Sequence, residues 1–135
     1  MTYISNTLRG LISERASGRC EYCFLPSDRA FPSHEVDHIY AEKHGGQTTE
    51  DNLCLSCFDC NRYKGSDICS IDVMTGDVVA LFHPRRDKWA DHFVLDGAII
   101  RPLTSHGRVA IRLLHLNDNE RVLERSKLIQ QGRYP

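Results

Sequence analysis

Apolar residues recur at helical spacing over residues 5 to 17, where Leu8, Leu11 and Ile12 share one face. Ser5 or Asn6 stands at the N-cap position and Gly18 just past the end. The stretch from Pro26 to Pro32 reads as a loop, and Glu35 to Ile39 as a short strand with Val36 and His38 on one face and Asp37 and Ile39 on the other. A polar loop from about Ala41 to Asp51 follows, with Gly45-Gly46 permitting a turn. Residues Asn52 to Leu55 read as a second strand, and Ser56 as the cap of a helix through Cys60, Asn61 and Lys64 that stops near Gly65. Beyond it, residues 71 to 82 predict a hairpin around Thr75-Gly76, and residues 93 to 100 another around Asp96-Gly97. Two helices complete the chain, near 106 to 115 and 118 to 131, the second introduced by Asn117 with Glu120 three residues on.

The strand, long loop, strand and helix are bracketed by two cysteine pairs, Cys20-Glu-Tyr-Cys23 and Cys57-Phe-Asp-Cys60. A C-x2-C knuckle lets two thiolates reach one tetrahedral zinc ion, so the four cysteines can form a single structural site that closes the loop between them. Cys54 and Cys69 have no partner at ligand spacing and read as buried, inert thiols.

The chain has 135 residues and 41% hydrophobic content, which fits one domain, residues 1–135, with a first half too polar to hold without a metal. The first residues lack a basic region followed by an apolar run, which predicts no signal peptide, and no segment reaches the length of a membrane span. Six cysteines without an export signal point to metal ligation in a reducing cytoplasm rather than to disulfides. A formal net charge of −1 excludes a globally basic nucleic-acid binder, so any DNA contact is local. Arg62 and Lys64 are candidates for it, and His44 in the glycine loop either meets a DNA phosphate or stabilises the loop. His83, Arg85, Arg86, Trp89 and His92 read as a packed aromatic group beside a solvated basic turn, and His34 and Glu35 as surface residues.

Hydrolysis of a phosphodiester needs an activated water, neutralisation of developing charge and stabilisation of the departing oxygen. His38 suits the general base, because imidazole titrates nearest neutral pH. Asp37 and Asn61 offer a carboxylate and an amide oxygen, the donor set of a hard divalent cation such as Mg2+, with Mn2+ or Ni2+ as alternatives. Asp37 and His38 point to opposite faces of an ideal strand, so both serve one site only if the strand twists or the cation sits at its end. Asn52 is placed to hydrogen-bond across the loop and hold His38.

Cys20-x-x-Cys23, Val36-Asp-His-Ile39, His44-Gly-Gly-x-Thr48, Asn52-Leu53 and Cys57-x-x-Cys60-Asn61-x-x-Lys64-Gly65 resemble the HNH endonuclease family in its zinc-bound, small stand-alone bacterial form. The resemblance implies an α+β protein with a ββα-metal core over residues 20–65. A four-cysteine zinc site staples that core, an N-terminal helix flanks it, and residues 66–135 form a hairpin and helix extension packed on it. It implies catalysis by His38, Asp37, Asn52 and Asn61, with structural zinc on Cys20, Cys23, Cys57 and Cys60. The expected reaction is divalent-metal-dependent hydrolysis of DNA, one strand per active site, leaving 5′-phosphate and 3′-hydroxyl ends. Where the third letter of HNH is histidine this chain has Asn61, an exchange that keeps a metal-reaching side chain. Cutting both strands would need a dimer or two successive events. The main alternative is a zinc-stabilised nucleic-acid-binding module without catalysis; a third is a structural or partner-binding protein whose tail, with Trp89 and the terminal helices, docks on a larger assembly that supplies sequence recognition.

Overall fold

Ser5 opens the first helix by accepting the Leu8 amide on its hydroxyl at 3.2 Å, satisfying one of the helix's otherwise unpaired donors. In the computed structural model, which describes residues 2–29 and 33–135, this helix, α1, runs Asn6–Arg15. Part of the loop expected at 26 to 32 thus lies outside the described residues; within it, Ser27–Arg29 forms a short 3-10 turn. Ile12 is fully buried with Ile4, Val36, Leu53 and Leu55, and Leu8 and Ala16 pack against them. Leu11, expected on the same face, is 41% exposed, because it stands about 100° around the helix from Ile12.

The chain divides into two compact units, Met1–Ser66 and Asp67–Pro135. In the first, β1 (Glu35–His38) pairs antiparallel with β2 (Leu53–Ser56), Val36 opposite Leu55 and His38 opposite Leu53. A second helix, α2 (Phe58–Lys64), follows β2 and contacts β1. Asn52 is not in the strand as expected but ends a 3-10 turn at Glu50–Asn52. Ser56 does not cap α2 either: it is the last residue of β2, and Cys57 takes the cap, its sulfur accepting the Cys60 amide at 3.5 Å. Arg15 fastens α1 to this unit, donating to the carbonyls of Glu50 at 2.9 Å and Leu53 at 2.8 Å.

The second unit carries both expected hairpins, β3 (Cys69–Ile71) with β4 (Val78–Ala80) and β5 (Phe93–Asp96) with β6 (Ile99–Pro102). Its helices are α3 (Trp89–His92), α4 (Ser105–Leu113) and α5 (Asn119–Gln130). Phe82, Phe93, Ile100, Val109, Leu114, Leu116 and Leu128 are buried, and Trp89 and Phe82 pack on Phe93 with ring centroids at 4.9 Å and 5.3 Å. Asp72 is buried in the β3–β4 turn and held by the Arg108 guanidinium of α4 at 2.8 Å. Asn117 does not introduce α5: its side chain brackets Ile100, accepting the amide at 2.9 Å and donating to the carbonyl at 2.7 Å, and Asp118 takes the cap. Cys69, expected to be buried, is exposed, because this two-stranded sheet leaves one face of β3 uncovered. Among the described residues, no helix is long and apolar enough to cross a membrane.

Candidate metal centre and active site

The sulfurs of Cys20, Cys23, Cys57 and Cys60 lie within 4.8 Å of one another and all four residues are buried. This is the arrangement of a structural zinc-type site, in which four soft donors from two knuckles converge on one ion. The chain builds the first knuckle with Phe24 in the left-handed region at φ 63°, its amide returning to the Cys20 carbonyl at 2.8 Å. Burial pushes the Cys20 and Cys60 thiols well up, with neighbouring sulfurs adding to the Cys20 shift, so four clustered thiolates require a cation. Glu21 ties this knuckle to β2, its backbone amide donating to the Leu55 carbonyl and its carboxylate accepting the Leu55 amide at 2.8 Å. Cys54 is buried apart from the cluster, its sulfur 3.7 Å from the Tyr22 hydroxyl, and burial pushes its thiol up to about 12.

The same hairpin carries the candidate catalytic residues. His38, buried at the end of β1, engages the Thr48 hydroxyl through Nε2 at 2.9 Å, and Glu42 Oε1 stands 4.0 Å away. Glu42 is held in turn by Thr2, whose amide and hydroxyl donate to its two oxygens at 2.9 and 2.7 Å. These bonds hold the Glu42 carboxyl below its ordinary range. Neither Thr48 nor Glu42 was assigned a role on sequence grounds, although Thr48 stands in the quoted glycine-loop motif.

Asn52 spans the loop with three bonds: Oδ1 accepts the Tyr40 amide at 2.9 Å, while Nδ2 donates to the carbonyls of Tyr40 at 3.0 Å and Gln47 at 2.8 Å. Its own carbonyl takes the Ile39 amide at 2.8 Å. Gly46 is required beside it, since a Cβ there would collide with the Tyr40 carbonyl. His44 bonds the Ser66 carbonyl at 3.0 Å through Nε2, a contact that ties the loop to the end of this unit.

Asp37 lies on the other face of β1 and is partly buried. Its Oδ2 is a buried atom with no hydrogen-bond partner, although the Lys64 ammonium stands 3.7 Å away. Burial raises the Asp37 pKa, an effect that Lys64 and the His38 amide only partly offset. Asn61 donates its amide nitrogen to Glu35 Oε2 at 3.3 Å, which leaves the amide oxygen as the end available to a ligand. An orphaned carboxylate oxygen and an amide oxygen are donors a hard divalent cation takes, so the residues present fit one.

Lys64 differs from its expected place. It is 1% exposed, with Nζ donating to the His38 carbonyl at 3.2 Å and the Gly65 carbonyl at 3.4 Å, so it does not offer its charge at the surface. Arg62 is exposed, as a phosphate contact requires, and pairs with Asp59 at 3.6 Å.

A cysteine cluster that spans both knuckles and a histidine hairpin set between them form the arrangement over which the family comparison matches, residues 20–67. Residues 20–67 match the HNH endonuclease family model. No curated protein and no solved structure matches the chain. The match points to nuclease or nucleic-acid-binding function for this segment, and its boundaries enclose every residue of the site described above except Thr2.

Proposed function

We propose that the HNH domain is a ββα-metal nuclease that hydrolyses DNA phosphodiester bonds with a divalent cation, cutting one strand per active site. The observation that carries the reading is the hairpin end, where the imidazole of His38 and the orphaned Asp37 oxygen occur on consecutive residues beside α2. In the tautomer that carries its proton on Nε2, beside the Thr48 hydroxyl and Glu42, the Nδ1 lone pair of His38 is the base that takes a proton from water. Thr48 holds the ring in place, and the Glu42 carboxylate near Nε2 favours a proton there and stabilises the imidazolium formed after proton transfer.

Asp37 and Asn61 are the residues that would hold Mg2+ or another divalent cation such as Mn2+ or Ni2+. When bound, that ion supplies positive charge against the phosphate oxygens and the departing 3′ oxygen. Water attacks phosphorus in line with the departing oxygen, one of its protons passing to His38; the P–O3′ bond breaks, and the 3′ oxygen takes a proton from solvent, giving a 5′-phosphate and a 3′-hydroxyl. Asn52 keeps the loop of residues 40 to 47 closed over β1, so its role is positioning. Zinc on the four cysteines holds the two ends of the domain together. Arg62, and His44 if the loop opens, meet the DNA backbone.

The competing reading is a zinc-stabilised nucleic-acid-binding module. Asp37 separates the two: a binding module has no use for a buried carboxylate oxygen without a donor, which costs about 1–3 kcal/mol wherever it stands. Plasmid nicking in the presence of Mg2+, abolished by EDTA and by Asp37→Ala at unchanged zinc content, supports the nuclease; binding without nicking supports the module.

A further inference from the structure

Phe58, the first residue of α2, presents a half-exposed ring, 47% accessible, at the surface of the helix. The Arg62 guanidinium lies 5.4 Å from the centroid of that ring and 4.7 Å from the centroid of Tyr63. It is steadied by the Tyr63 hydroxyl at 3.0 Å and by Asp59 at 3.6 Å. Phe58, Asn61 and Arg62 occupy positions i, i+3 and i+4, so they share one face of the helix. Asn61 on that face is the candidate cation ligand, so the aromatic and cationic pair flanks the position where a scissile phosphate would be held.

An exposed ring beside a guanidinium plane is the pair of surfaces on which proteins stack nucleobases, with the cation adding phosphate attraction. A continuous duplex hides base faces inside its stack and offers such a ring nothing to cover it. An unpaired base next to the cut site does. We propose that Phe58 and Arg62 form a stacking platform for an unpaired base beside the scissile phosphate, so that the preferred substrate is single-stranded or locally unpaired DNA. This rests on the nuclease reading and narrows its substrate.

The test is fluorescence anisotropy of an end-labelled single-stranded DNA oligonucleotide and of the same sequence as a duplex. It is made with full-length His38→Ala protein in Mg2+, so that neither is cut. The platform predicts tighter binding of the single strand, a loss of about tenfold on that strand in Phe58→Ala, unchanged duplex binding, and retention of single-strand affinity in Phe58→Trp. Zinc content and urea midpoint of Phe58→Ala, compared with the parent, exclude misfolding as the cause. Equal affinity for both oligonucleotides, an equal loss on both, no effect of Phe58→Ala, or no binding at all overturns the platform. Plasmid nicking by protein with His38 intact, run alongside, separates the failures: nicking without single-strand preference overturns the platform alone, and no cleavage of either DNA form overturns the nuclease reading.

Discussion

Lys64 donates its ammonium to the carbonyl oxygen of His38 at 3.2 Å, which fastens the end of β1 to the end of α2 from inside the fold. The same ammonium stands 3.7 Å from Asp37, so one buried cation addresses the backbone of the candidate base and the carboxylate of the candidate cation ligand. Removing it leaves Asp37 with its strongest compensating charge gone.

Lys64→Met therefore lowers stability by about 2–3 kcal/mol, somewhat less than the loss of one member of a fully buried pair, because Asp37 keeps partial access to water. Urea unfolding of the zinc-loaded protein measures it, and a loss below about 0.5 kcal/mol contradicts the role assigned to the ammonium.

The cysteine cluster makes a prediction of its own. Cys57→Ser removes a zinc ligand and the cap of α2 together, so the variant loses bound zinc and cooperative unfolding. Zinc analysis and thermal unfolding check this, and a variant with one tight zinc per chain and a sharp transition contradicts the site.

Thiol reactivity distinguishes the six cysteines. Cys69 is exposed, Cys54 is a buried thiol pushed up to about 12, and the other four face one another. A disulfide reagent at neutral pH accordingly modifies Cys69 quickly in the native zinc protein and reaches the rest only after denaturation with chelator. Rapid modification of Cys54 in the folded protein contradicts its placement.

Asp72 gives the second unit a pH dependence with a definite sign. The Arg108 guanidinium, with help from the Met74 amide, holds its carboxyl below the usual range. A carboxylate depressed in the folded state contributes stability that is fully present above its unfolded pKa, about 3.9, and is lost as pH falls through the folded value. Acid titration of unfolding should show that loss below about pH 4 in wild type and a shallower slope in Asp72→Asn.

The order of elements and the two knuckles were legible because each has a local signal: C-x2-C spacing, strand alternation at Val36 and His38, and turn residues at Thr75-Gly76 and Gly97. What was not legible depends on contacts distant in sequence. Lys64 reads as a surface charge until β1 is placed beside α2, because nothing next to it in sequence indicates that the His38 carbonyl will stand at its amine. Thr48 and Glu42 acquire a relation to His38 only when the loop folds back, which the Asn52 bonds bring about. Asn117 has the composition of a helix cap, yet its amide pairs with the edge of β6, where it satisfies two backbone groups at once. The cap of α2 shifted by one residue because Cys57 sulfur replaces the hydroxyl that Ser56 offers.

The measurement that tests the central claim most directly is conversion of supercoiled plasmid to open circles in Mg2+ or Mn2+ by wild type and His38→Ala, both first matched for zinc. Loss of a general base predicts a fall of about a hundredfold to ten-thousandfold in the variant, with EDTA silencing the wild type. Equal, EDTA-resistant conversion by both proteins contradicts the assignment of His38 as the base of a metal-dependent nuclease.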